Sequence, residues 1–120
     1  MSASKAVPIV YACSGACSTG QMANYIALCL HRARVAKMSS VAGVAGGLPN
    51  MVAAAKSGRP VVAIDGCERH CTRRCLARQG ITVHRHYAIT DFDIEKLDRP
   101  EFDEDDAVML FEHIRVALTG

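Results

Sequence analysis

The sequence predicts one three-layer α/β domain, a mostly parallel, Rossmann-like sheet with helices on both faces. Three observations carry that expectation. Short apolar runs at Val7 to Ala12 and Val61 to Ile64 lack the polar–apolar alternation of a sheet with one wet face, so they read as strands buried on both sides. Each run leads through a turn into residues with helical spacing, and strands that alternate with helices lie parallel. The chain has 120 residues, 50% of them hydrophobic, enough for one core that buries roughly 65% of the unfolded surface without covalent staples.

Residues 1–6 read as a loose end, and the remainder as a single cysteine-rich domain within 1–120. Val7 to Ala12 is the first strand, with Pro8 tolerable near its start. Cys13 to Cys17 makes a turn, and Ser18-Thr19-Gly20-Gln21 fits a capping box that opens a helix. Met22, Tyr25, Ile26, Cys29, Leu30 and Ala33 form its apolar face, which gives Cys29 the role of a small core hydrophobe. Ala36 to Val41 is a short second strand and Gly43 to Gly47 a flexible loop. Pro49 suits the first position of a helix running to Lys56. The glycine loop matches neither of the standard phosphate-binding patterns.

Val61 to Cys75 organises the rest. Its strand ends at Asp65-Gly66, and Cys67, Cys71 and Cys75 follow at four-residue intervals. On a helix that spacing makes one stripe of sulfur, since each step drifts only about 40°. Thiols four apart on a helix run parallel and are poorly placed for a disulfide, so metal binding or thiolate chemistry is the better expectation. Gly80 then caps the helix, and Ile81 to Ile89 is a strand carrying His84 and His86 on one face, more naturally exposed histidines than ligands. Thr90 to Asp106 reads as a solvated acidic loop. A last helix, Asp105 to Leu118, turns Val108, Phe111, Ile114 and Leu118 to the core.

Cys13 and Cys17 repeat the four-residue spacing directly after the first strand. In a parallel sheet every strand-to-helix turn emerges at one edge, and sites gather where adjacent strands send their helices to opposite sides. If these two strands are neighbours, Cys13, Cys17, Cys67 and Cys71 face one another, four sulfurs for a tetrahedral zinc. Helix amino termini and the basic residues of the segment (Arg69, Arg73, Arg74, Arg78, Arg85) would favour thiolates.

Composition excludes other classes. The net charge is +2, no apolar run nears the ~18 residues of a membrane span, and no secretory leader is evident, so the expected compartment is the cytoplasm, where thiols stay reduced. Few aromatics are present to stack on bases, so neither nucleic acid nor membrane is an expected partner; a metal ion is, and a protein partner is not legible. Cys67 to Arg73 satisfies C-x5-R, yet the loop is bulky and places Glu68 where a phosphate would sit. The stronger rival to zinc is thiol redox or sulfur transfer, with Cys75 as a spare attacking or resolving thiol.

Cys13-Ser14-Gly15 leading to Gly20-Gln21, then Asp65-Gly66-Cys67 with Cys71 four residues on, resembles the DGC-domain family, named for that tripeptide. The likeness runs from about Val7 to Lys96. It implies a small α/β protein that binds zinc through cysteines, with no established reaction, and it places ligand roles on Cys13, Cys67 and Cys71. Cys17 and Cys75 compete for the fourth place.

Overall fold

The structure is a computed structural model that describes residues 7–120; the expected loose end, residues 1–6, lies outside the described residues. The elements in order are β1 (Ile9–Ala12), α1 (Ser18–Arg32), β2 (Lys37–Met38), α2 (Val41–Ala45), α3 (Pro49–Ala55), β3 (Val61–Asp65), α4 (Cys71–Arg78), β4 (Arg85–Ala88), a 3-10 turn (Ile89–Phe92) and α5 (Glu104–Thr119). The four strands form one parallel sheet in the order β2-β1-β3-β4, with Ile9 opposite Val61 and Ala12 opposite Ile64.

Both faces of the sheet are covered, and that is why its central strands are apolar up to Asp65, the last residue of β3. Val10, Ala12, Val62 and Ile64 pack beneath Met22, Ile26 and Leu30 of α1 and Ala107, Leu110 and Ile114 of α5. Ile9, Tyr11, Val61 and Ala63 face the other way, onto Val44 of α2, Ala55 of α3 and Leu76 of α4. Thus β1 feeds a helix on one face and its neighbour β3 feeds a helix on the other. The crevice between their carboxyl ends is a topological switch point.

Several local expectations are corrected. The second strand shrinks to Lys37–Met38, because Ser40 accepts a hydrogen bond from the Gly43 amide at 3.1 Å and starts a short helix where a glycine loop was expected. The capping box does not form. Ser18 Oγ instead accepts from the Leu97 amide at 2.8 Å, and the Gln21 side chain donates to the Ser14 and Gly15 carbonyls, holding the turn rather than the helix end. Cys29 is half-buried, beside Tyr25, and Ala33 lies beyond the helix on the surface. On α5 the buried positions are Ala107, Leu110 and Ile114, with Phe111 and Leu118 half-buried and Val108 53% exposed, so the face is rotated by about one residue.

The acidic segment is not simply solvated. Phe92, Ile94 and Phe102 pack against the core, and Phe102 lies 5.4 Å from the Tyr25 ring. Its acids also start α5: Asp103 Oδ1 accepts from the Asp105 and Asp106 amides at 2.8 and 3.2 Å. Replacing Asp103 with alanine removes that cap and is expected to lower stability by about 1 kcal/mol, read as a fall in the urea midpoint without a change in slope.

Candidate functional site

Two turns meet at the switch point. Cys13 follows β1, and its amide donates to the Ile64 carbonyl at 3.0 Å, extending the β1–β3 ladder by one residue. Cys17 is the residue before α1, Cys67 lies just past β3 and is 8% exposed, and Cys71 is the exposed first residue of α4. What brings the turns together is two residues without side chains. A β-carbon on Gly66 would fall 2.8 Å from the Gly20 amide nitrogen and 2.9 Å from both the Gly20 Cα and the Thr19 carbonyl carbon. The Gly66 backbone therefore lies directly on the first turn of α1, and any side chain there would wedge the two turns apart.

The expected sulfur stripe is corrected at its first member. Cys67 is not on the helix: Gly66 to His70 is a turn, closed by the His70 amide donating to the Cys67 carbonyl at 3.2 Å, and His70 adopts the left-handed conformation with φ 52°. Asp65 explains why α4 begins at Cys71. Its carboxylate, 1% exposed, accepts from the Thr72 amide at 2.6 Å and the Arg73 amide at 3.2 Å, satisfying two amides that a helix start leaves unpaired. A third bond comes from His86 Nε2, 2.8 Å from Asp65 Oδ2, and the His86 ring meets His70 edge-on at 4.6 Å.

This arrangement also reverses an electrostatic expectation. Cys71 does not become more acidic. Desolvation pushes its thiol pKa up, and the negative charges of Cys13, Asp65, Cys67 and Cys75 push in the same direction. The helix amides that would have favoured a thiolate serve Asp65 instead. The same bonds dispose of the C-x5-R reading, because the Thr72 and Arg73 amides that would hold a phosphate point at a carboxylate.

The remaining candidates are placed as follows. Cys75 stands one turn along α4, close enough for its charge to act on Cys71, whereas Cys17 lies on the α1 side with its Sγ 3.8 Å from Thr19 Oγ1. Cys29 is about 18 Å up α1 from Cys17 and takes no part. His84 and His86 do not share a ligand face. His84 pairs with Val61 at the opposite end of the sheet, its Nδ1 accepting from the Val61 amide at 2.9 Å, and only His86 reaches the cysteine edge. Among the described residues, no three His, Cys, Asp or Glu side chains are grouped so as to hold a metal ion. No helix among the described residues is long and apolar enough to cross a membrane.

One contact at the site escaped the sequence. Lys96, in the acidic segment, brings its Nζ to 3.7 Å from Cys67 Sγ. Only the tertiary path of that segment makes the neighbours visible, since 29 positions separate them.

Comparison with known proteins agrees with the motifs. The model of the DGC domain matches residues 9–114. The anaerobic and virulence modulator AnvM of Pseudomonas aeruginosa is 42% identical over 113 residues, which cover 94% of this chain and 86% of that protein. No solved structure matches the chain. A match spanning both cysteine turns and the whole sheet, on a fold that brings those turns into contact, settles the family: the chain belongs to the DGC domain family.

Proposed function

We propose that the protein binds zinc through thiolates at the switch point of its sheet, with Cys13, Cys67 and Cys71 as ligands and Cys17 as the fourth. The observation that carries this reading is the seating of the Gly66 backbone on the first turn of α1, which brings Cys13 and Cys17 after β1 to the same edge as Cys67 and Cys71 after β3. Thiols drawn from two turns to one edge are, once deprotonated, the donors that zinc takes in closed sites. The donor set fits by chemistry and by its place at one edge, and ligation requires the thiols to turn toward a common centre and release their protons. Zinc would serve here as a structural or regulatory ion, held by four sulfurs with no position left for a substrate. The relative's name, an anaerobic and virulence modulator, speaks for regulation rather than for a reaction.

A second reading, thiol redox or sulfur transfer, is favoured by one feature: Cys71 is exposed and stands among other thiols. One experiment separates the two. Protein purified without oxygen is assayed for metal by plasma mass spectrometry, and its free thiols are counted before and after denaturing chelation. About one zinc per chain with about four thiols freed by chelation is expected. Metal-free protein whose thiols pair under mild oxidant would overturn the zinc reading and put the redox one in its place.

A further inference from the structure

We propose that residues 94–97 form a retaining strap across the thiol site, with Lys96 supplying the positive charge that keeps a metal–thiolate centre from dissociating. This rests on the metal-binding reading above. The strap is tied by consecutive residues to both cysteine turns. Leu97 is clamped to the start of α1, its amide donating to Ser18 Oγ at 2.8 Å and its carbonyl accepting from the Ser18 amide at 3.0 Å. Ser18 is 3% exposed and directly follows Cys17. One residue back along the strap, Lys96 Nζ donates to Cys67 Sγ on the other side of the switch point. The ends of the segment are fixed as well, by Asp93 in the left-handed conformation (φ 62°), by Ile94 against the core and by Phe102 against Tyr25.

The physical need for such a residue follows from charge. Four thiolates around a divalent ion carry a net charge of −2, and Asp65, buried beside Cys71, adds to it. The arginines of the segment do not answer this need directly. Arg74 donates to the Arg69 carbonyl at 2.8 Å, and among the described residues Lys96 is the side chain whose cationic group bonds a thiol of the site. A lysine suits the task, since its ammonium is a compact charge on a flexible stem that can follow the sulfur as a ligand rearranges. It therefore acts as a positioning residue for the centre, through Cys67 and not through the metal itself.

The test uses the full chain loaded with zinc and, separately, with cobalt(II), whose thiolate absorption reports the donors. Each form is challenged with excess chelator and metal loss is followed in time. Lys96→Met is expected to lose metal about tenfold faster than the native protein, in the range typical of groups that orient metal ligands. Lys96→Glu should be faster still, Lys96→Arg within about twofold of native, and the gap between native and Lys96→Met should narrow in high salt. Ser18→Ala, which leaves the lysine but releases one clamp, should fall between. Rates that are the same in Lys96→Met, Lys96→Glu and the native protein, or an arginine variant as leaky as the methionine one, would overturn the strap. A native protein that takes up neither metal overturns the zinc reading and the strap with it, whereas normal loading with unchanged release overturns the strap alone.

Discussion

Gly66→Ala is expected to cost about 3 kcal/mol and to lower the melting temperature by roughly 10 °C. The added methyl would stand 2.8–2.9 Å from backbone atoms of Thr19 and Gly20, and backbone in the first turn of a packed helix has nowhere to go. The cost therefore falls at the upper end for overpacking, where a flexible side-chain neighbour would have put it lower. Relief can come only by the two turns moving apart, which separates Cys13 from Cys67 and Cys71. So the variant should also lose metal stoichiometry in solution conditions where it remains folded. Gly15→Ala is the control. It adds the same methyl to the other cysteine turn, but the nearest atom is Cys13 Sγ at 3.9 Å, an ordinary contact, and its effect should stay within about 0.5 kcal/mol. Denaturation in urea measures both, and equal costs for the two glycines would show that the Gly20–Gly66 contact does not hold the site together.

That contact also marks how far the sequence could be read. The central strands were legible because burial on both faces leaves an unbroken apolar run, as at Val61 to Ile64. The meeting of the two cysteine turns was legible from topology, since adjacent parallel strands share an edge. The start of α4 was not. Periodicity saw three cysteines at helical spacing, but which of them is helical depends on where Asp65 accepts its amides, and that bond forms only once β3 is in place. Glycine misled in the opposite sense at Gly43, where Ser40 caps a short helix that composition alone reads as a loop. Lys96 was hidden for a third reason: it sits in an acidic stretch, with Glu95 before it and Asp98 two residues on, and its neighbour in space is a thiol. Local rules find elements, and long-range contacts decide where they begin and what they touch.

Asp65 is where those long-range contacts and the chemistry of the thiols come into conflict, and its variants should separate them. Asp65→Ala leaves the Thr72 amide, the Arg73 amide and His86 Nε2 without their acceptor at a place 1% exposed, and is expected to cost about 3 kcal/mol, with α4 fraying at Cys71. Asp65→Asn keeps one oxygen for the Thr72 amide while its amino group faces a donor, so about 1–2 kcal/mol is expected. The thiol should respond in the other direction. The Asp65 charge is one of the causes that hold Cys71 protonated, after desolvation and the charge of Cys13. Removing it makes the thiolate easier to form, so Cys71 in folded Asp65→Asn should be alkylated by iodoacetamide faster than in the native protein at the same pH, although the fold around it is weaker. A slower or unchanged rate, with the site shown folded by circular dichroism, would mean that Asp65 serves the helix alone. A faster rate would show that the carboxylate which positions Cys71 also keeps it a thiol until a cation, rather than an oxidant or an alkylating agent, draws off the proton.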